Sequence, residues 1–342
     1  MQVENRSYTV AMRRVSEACR RLAARLESRS YSGRVVGSRG LANESAATSM
    51  DGNRSVLRLA GRDLYTFLQG LLTNDVLQIE SGKQDFMYSA MLNPQGRFMY
   101  DMFLLSDRKE EEPVILMDVE SQTVPELTRS LIKYRLRAAV DISNVSNEYE
   151  VKVLFGSSDT EPSGVWHVDP RLPMLGFRTI VPREDASAGD PASAQQYVDW
   201  RIEHGVAEGC IEIPSGSALP LEYNLDGLSG ISFTKGCYVG QELTARTKYT
   251  GVVRKRLLPV ELTDGHGLKS GDAIYETGKS KRSIGQIRLV GGAKKALAHL
   301  RLSAAFPKEG KPAALRVQDN DSAVLTPLRP TWWDPIWGRE EE

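Results

Sequence analysis

No stretch of this chain approaches the roughly 18 consecutive apolar residues that a helix needs to cross a bilayer, which excludes stable membrane insertion by that route. Excess charge is missing too. The 44 Lys and Arg are balanced by 44 Asp and Glu, so no global positive field draws the chain onto nucleic acid. Cysteine is scarce: Cys19, Cys210 and Cys237 form no Cys-x-x-Cys pair and no disulfide framework, which fits a reducing compartment. His167, His204, His266 and His299 are widely separated and lack metal-ligand spacing, so a dedicated mononuclear metal site is not expected. The sequence also lacks a Gly-x-x-x-x-Gly-Lys-Ser/Thr phosphate loop and a Gly-x-Ser-x-Gly nucleophile elbow.

What is present is a 342-residue chain, 41% apolar and 26% charged, able to bury a core and to divide into two or three domains. Its charge is unevenly placed. Residues 1–49 hold nine Arg, no Lys and four Glu among many Ser and Ala, the composition of an organelle transit peptide. Apolar residues recur at helical spacing from Val15 through Ala18, Cys19 and Leu22 to Leu26, with Arg13, Arg14, Arg20, Arg21 and Arg25 largely off that stripe. A disordered N-terminal tail is the alternative reading.

An ordered domain is expected to begin with a strand at Val56 to Ala60. Gly61-Arg62-Asp63 then opens a helix whose Leu64, Phe67, Leu68, Leu71 and Leu72 fall on one face, and Thr73-Asn74-Asp75 closes it. Phe86 to Leu92 and Arg97 to Leu105 read as a hairpin around Asn93-Pro94-Gln95-Gly96, followed by a strand at Val114 to Val119 and a helix at Pro125 to Tyr134. This half is α+β. Strands at Val151 to Phe155 and Gly176 to Val181 lead to a helix from near Ala192 that carries Tyr197, Trp200 and Arg201, then to a long irregular segment ending at Gly230. Short strands between Gly-rich turns mark a C-terminal β-barrel: Leu257 to Leu262, Ala273 to Tyr275, Ile284 to Leu289, Ala296 to Leu302 and Ala314 to Gln318. Trp332, Trp333 and Trp337 follow it, aromatics that either dock back onto the body or bind a partner. The expected boundaries are a leader over 1–49, mixed α/β units over 50–150 and 151–252, a barrel over 253–330 and a Trp-rich tail over 331–342.

The densest concentration of chemistry is Lys235-Gly236-Cys237-Tyr238-Val239-Gly240-Gln241-Glu242, with Arg246 just beyond. A thiol before a helix start, two residues from an ammonium, has its thiolate favoured and is a nucleophile or metal ligand. The competing reading is a free cysteine that only packs. The octapeptide resembles the signature of the YgfZ family, which includes a mitochondrial factor for 4Fe-4S assembly and is related to the aminomethyltransferase (T-protein) of glycine cleavage. The resemblance extends to Phe67-Leu68-Gln69-Gly70-Leu71-Leu72-Thr73-Asn74-Asp75-Val76, to the Asn93 to Asp101 hairpin and to Leu221 to Arg246, so that it covers about residues 55 to 320.

This resemblance implies a T-protein-like α+β fold in which two mixed α/β units and a C-terminal β-barrel surround a folate pocket. It also implies a role in maturing 4Fe-4S proteins in the mitochondrial matrix. The implied cofactor is tetrahydrofolate or a related folate, and the implied partners are A-type iron-sulfur carriers. Three cysteines fall short of the four thiolates a cluster usually takes, so an iron-sulfur cluster would be transient and shared, with Cys237 as this chain's ligand. Lys235 and Arg246 would stabilise negative charge on its sulfurs, while Gly236, Tyr238, Gly240, Gln241 and Glu242 shape the loop. For the folate, Asp101 is the first candidate, because a carboxylate on a strand face with Met99 and Phe103 needs a partner. Glu203, in an Arg201-Ile202-Glu203-His204-Gly205 segment similar to one whose Glu contacts the pterin in T-proteins, is the second, and a helical Arg-Glu patch at the surface is its plainer reading. Asn74 and Arg201 complete the expected set. T-proteins carry adjacent aspartates where this chain has Tyr100-Asp101, which counts against aminomethyl transfer. A folate-dependent aminomethyl or methyl transferase and a non-catalytic interaction protein are the alternatives.

Overall fold

The computed structural model describes residues 46–156, 164–185, 191–263, 267–277, 282–292, 294–307, 314–317 and 320–337. The order begins with the short strand Ala46–Ser49 (β1). Arg54–Ala60 (β2), Phe86–Leu92 (β3), Phe98–Asp107 (β4), Val114–Glu120 (β5) and Asp141–Asn144 (β6) then form an antiparallel sheet in the order β3-β4-β5-β2-β6. Leu64–Gln69 (α1) buries Leu64, Phe67 and Leu68, and Leu71 and Leu72 continue the expected stripe in the turn beyond Gly70. After the single turn Leu77–Glu80 (α2), Val124–Arg135 (α3) adds Val124, Leu127 and Leu131 to the same core, with Pro125 in its first turn where no helical N–H is lost. Alternation decides which side each strand residue serves. Met87, Met102, Leu104 and Met117 face these helices, while Phe86, Tyr88, Phe103 and Leu105 face a second sheet, so every residue of β3 is buried.

That second sheet joins β1 to Tyr149–Phe155 (β7), His167–Val168 (β8) and Phe177–Pro182 (β9) in the order β1-β7-β9-β8. Ala46 to Ser49 pair with Phe155 to Lys152. The folded body therefore starts upstream of the boundary expected at residue 49, and the leader reading applies to residues 1–45, which lie outside the described residues. Four small and polar residues carry no hydrophobic alternation to announce a strand; the ladder with β7 holds them. Pro191–Glu203 (α4) packs against β1. Val151, Val153, Phe155, Ile180 and Tyr197 meet Phe86, Tyr88 and Phe103 in one cluster, so the two mixed units share a core.

Past the short helix Gly209–Glu212 (α5) and Gln241–Thr250 (α6), the chain closes a barrel from Lys255–Leu262 (β10), Ala273–Glu276 (β11), Gly285–Val290 (β12), Lys295–Arg301 (β13), Leu315–Val317 (β14) and Asn320–Pro327 (β15), in the order β10-β13-β12-β11-β14-β15. The helix Leu302–Ala305 (α7) follows β13. The sequence pattern did not announce β15, yet its pairing with β10 and β14 removes the edge that an open sheet would expose. The tail docks back. Trp333 and Trp337 are buried in the barrel cluster, the Arg256 guanidinium lies 3.4 Å from the Trp337 ring centre, and Trp332 Nε1 donates to the His204 carbonyl at 2.8 Å. Gly227 lets it approach, since a Cβ there would come within 2.5 Å of Trp337. Among the described residues no helix is long and apolar enough to cross a membrane.

Candidate functional site

The Cys237 segment is an irregular loop tied down on both flanks. The carbonyls that follow α1 have no helical partner. Lys235 uses them: its Nζ donates to the carbonyls of Gln69 (2.8 Å), Leu72 (2.6 Å) and Asn74 (2.8 Å). Ser232 N–H donates to Thr73 O and Val239 N–H to Gly70 O, both at 3.0 Å. Gly240 then caps α6 at φ +81° and presses against the β3–β4 turn, where a Cβ would lie 2.3 Å from the Asn93 carbonyl. Gln241 Oε1 accepts the Tyr238 N–H at 2.9 Å. Between these ties Gly236 and Cys237 form an exposed crest.

These contacts extend one expectation and correct another. The motif lies within the 151–252 segment as expected, and its loop is anchored on the first unit, where its donors find open carbonyls and Gly240 packs against the β3–β4 turn. Lys235 was expected to stabilise charge on the sulfurs. All three of its N–H donors are engaged by carbonyls, so it positions the loop instead. Burial pushes its ammonium down to about 8, with Asp75 pulling the other way. Gly240 and not Cys237 occupies the N-cap, so α6 does not present its first turn to the thiol. Arg246 and Glu242 are exposed on α6, as is Cys237 before it. Cys210 contrasts with Cys237: it is half-buried, donates to the Met99 carbonyl at 3.1 Å, and has its thiol pushed well up by burial and by Asp101 and Glu120. It is a packing thiol.

The second concentration of polar groups lies between the sheets. Arg54, Arg171, Arg178 and Arg201 meet Asp101, Asp118, Asp169, Glu208 and Glu212, all buried. Asp118 accepts from Arg54 Nε at 2.6 Å and from Arg178 Nε at 2.7 Å. Glu208 Oε2 accepts from Arg171 Nη1 at 2.8 Å and Arg178 Nη1 at 3.1 Å. Arg171 also reaches Asp169 at 2.7 Å, and Arg201 grips Glu212 through two nitrogens at 2.8 Å each. Burial alone would raise the Glu208 carboxyl; Arg178, Arg171 and Arg54 hold it well below the ordinary range. The Arg178 guanidinium also stacks 3.9 Å from the Phe103 ring centre.

The expected folate residues part company here. Asp101 is in the cluster, not in apolar surroundings: its Oδ2 accepts from Tyr88 OH at 3.2 Å and Gly209 N–H at 3.1 Å, and its Oδ1 lies 3.8 Å from Arg54 Nη1. Arg201 points inward, and Glu203, two residues on along the helix, points outward, because such residues lie roughly 200° apart around the axis. Glu203 is exposed and pairs with Lys295 at 3.4 Å. Asn74 clasps two backbone carbonyls, Tyr88 O at 2.8 Å and Ser229 O at 2.7 Å. Asp118, Asp169, Glu208 and Glu212 are buried acids of this centre that the sequence reading did not single out. A signal was present: Glu208 sits between Ala207 and Gly209, flanked by residues too small to shield a charge from the interior.

Residues 254–335 match the family described as CAF17, C-terminal beta-barrel domain. The chain is 38% identical over 222 residues to an iron-sulfur cluster assembly factor IBA57 homolog, mitochondrial, of Mycosarcoma maydis, covering 61% of this chain and 55% of that protein. It is 34% identical over 304 residues to the Pyricularia oryzae homolog of the same name, covering 80% and 77%. With the mitochondrial IBA57 of Mus musculus it shares 34% identity over 311 residues, covering 83% and 84%. The chain belongs to the IBA57 family. Its fold extends to a solved structure, the glycine cleavage system aminomethyltransferase T from Bartonella henselae, with a TM-score of 0.61 over 84% of this chain and 85% of that one. At 12% identity this likeness concerns the fold alone. IBA57 membership, with a CAF17-type barrel, is thus the family relation established, and YgfZ is a related family.

The folate expected from the sequence resemblance finds no carboxylate at the centre with both oxygens open to it. A pterin's adjacent N–H donors need a carboxylate with two open oxygens. Asp118, Glu208 and Glu212 are already matched to guanidinium groups, Asp101 has one oxygen taken by Tyr88 and Gly209, and Glu203 faces the barrel strand β13. Aminomethyl transfer, which needs a carboxylate free beside the folate, gains no support from this centre.

Proposed function

We propose that this chain assists iron-sulfur cluster assembly, the role its relatives are named for, by lending the Cys237 thiolate to a cluster held jointly with a second protein. The observation that carries this reading is the exposed thiol on a crest fixed from both sides. One thiolate cannot hold a cluster that takes four ligands, so the remaining ligands come from the partner. An A-type iron-sulfur carrier holding a 2Fe-2S cluster is that partner, and 4Fe-4S proteins of the mitochondrial matrix are the recipients. On ligation the Cys237 thiol gives its proton to solvent, an iron–sulfur bond forms, and one ligand of that iron departs; no electron moves.

The surroundings suit this task. A Cβ built on Gly236 would meet nothing within 4 Å, so the crest has room for a cluster. Lys235 acts as a positioning residue, and exposed Arg246 supplies positive charge on the adjoining helix. The Arg-rich residues before 46 serve as the import signal. Anaerobic titration of the full chain with a carrier holding a 2Fe-2S cluster, followed by visible circular dichroism, is expected to give a shared-cluster spectrum with wild type and none with Cys237→Ser. Identical spectra from the two proteins would remove Cys237 as a ligand.

A further inference from the structure

A shallow groove of about 360 Å³ runs between α1 and the end of α3, lined by Phe67, Gly70, Leu71, Tyr134, Arg135 and Ala138. At its edge Leu136 is 87% exposed and held at φ +49°, ψ −105°. Ala138 N–H donates to Arg135 O at 2.8 Å, so Leu136 occupies the first corner of a turn in the II′ geometry that glycine adopts most easily. Bulky residues at positive φ are strained, and such strain gathers at functional sites. Here a large apolar side chain is held in that conformation and buries almost nothing within its own chain.

The exposed charge flanking the groove is mostly positive, with Asp63 the one acid among the lining residues. Arg129, Ile132 and Lys133 fall at i, i+3 and i+4 on the outward face of α3, and Ile132 is 48% exposed. Arg62, Arg129, Lys133 and Arg137 are exposed and form no ion pair among the described residues. The nearest acid, Asp63, has its carboxylate turned to the Ala139 N–H at 2.7 Å. Gly70 links this surface to the thiol loop, because its carbonyl accepts the N–H of Val239, two residues after Cys237.

We propose that this groove is a docking surface for an acidic protein segment bearing an apolar side chain, and that the segment belongs to the protein that shares the cluster with Cys237. The basic rim draws the acidic segment in, its apolar side chain packs against Leu136 and the groove floor, and the adjoining loop then presents the thiol to the partner's cluster. This rests on the proposed cluster role, so the test separates the two.

The full chain is titrated with an A-type carrier holding a 2Fe-2S cluster, and affinity is read by calorimetry alongside the cluster spectrum. Leu136→Gly suits the turn and is expected to keep or raise thermal stability. It is nevertheless expected to weaken binding by about tenfold, as loss of an interface anchor does. The combined Arg129→Glu, Lys133→Glu and Arg137→Glu variant is expected to weaken binding at least as much and to lose the salt dependence seen with wild type. Cys237→Ser is expected to bind within about threefold of wild type, the scatter of an exposed near-neutral contact, while forming no shared cluster. Wild-type affinity in both groove variants, with the cluster still dependent on Cys237, would overturn the docking surface and leave the cluster role standing. A shared cluster that survives Cys237→Ser would overturn the cluster role itself. Groove variants that lose binding to anionic phospholipid vesicles but not to the carrier would assign the surface to a membrane and overturn the proposal.

Discussion

Cys237 stands exposed on a loop whose flanks are tied to α1 and to the β3–β4 turn, whereas the acids between the sheets are each matched to a buried guanidinium or a backbone donor. Both regions are rigidly supported. The first leaves its reactive atom open, and the second leaves few open, with Asp101 Oδ1, Arg54 Nη1 and Arg201 Nε the exceptions among its members. Bringing an ion out of water costs several kcal/mol, and only close pairing offsets that cost. A buried charge cluster is therefore first a constraint on how sheets and helices meet, and it becomes a ligand site only where a partner is left out. A lone thiol at a crest carries no such desolvation cost, so it is available to something outside the chain.

The sharpest way to break this contrast is to remove one member of the centre. Arg178→Met deletes the nitrogens that serve both Asp118 and Glu208. Breaking a buried pair from one side leaves an uncompensated charge, and about 3–5 kcal/mol of stability should be lost in urea unfolding. Per folded molecule, cluster sharing at Cys237 should be unchanged. A loss below about 1 kcal/mol, the range of exposed pairs, would mean that water reaches the centre and that its carboxylates are open to a ligand after all.

A smaller effect is expected at Lys235. Lys235→Met leaves three carbonyls without their donor, and because the site is only half-buried water can replace part of what is lost; about 1–3 kcal/mol is the expected cost. Amide exchange at Val239 should quicken, which a purely global effect would not single out. The pH dependence has a defined sign. The folded ammonium titrates at about 8, below the ordinary 10.5, so between those values the unfolded chain keeps a proton that the folded chain has released. This group's contribution to stability is present in full above 10.5 and is lost as pH falls through about 8. Wild type should therefore gain on Lys235→Met as pH rises through that window, read as the difference between their urea midpoints. A flat difference would mean that the three carbonyls restore the ordinary lysine value.

Local patterns were legible where a single element decides them. The Leu64 to Leu72 stripe, the Asn93 to Gly96 turn and the positions of the first five barrel strands all follow from spacing and turn residues. The thiol motif was legible as a motif, but the unit it packs on was not, since Lys235 meets carbonyls more than 160 positions away in the chain. Ala46–Ser49 and Asn320–Pro327 escaped because the first has no apolar alternation and the second opens with Asn320-Asp321-Ser322, so pairing alone makes them strands. Glu203 was singled out by its resemblance to a T-protein segment. Helical phase places Arg201 inside and Glu203 outside, and a motif read as a string of letters does not carry that phase.

The smallest stability effect should accompany the largest functional one, and Cys210 and Cys237 sharpen this most directly. Cys210→Ser replaces a half-buried thiol that donates to Met99 O, and it should cost about 1 kcal/mol, the net worth of one hydrogen bond, with the shared cluster intact. Cys237→Ser alters an exposed atom on the crest and should change stability by no more than about 0.5 kcal/mol, as surface substitutions do. Urea unfolding of both variants beside the cluster titration checks the pair. If Cys237→Ser destabilised more than Cys210→Ser, the crest would be doing structural work, and the loss of cluster sharing could then follow from a disordered loop instead of a missing ligand. Stability held with sharing lost leaves the sulfur atom itself as the cause.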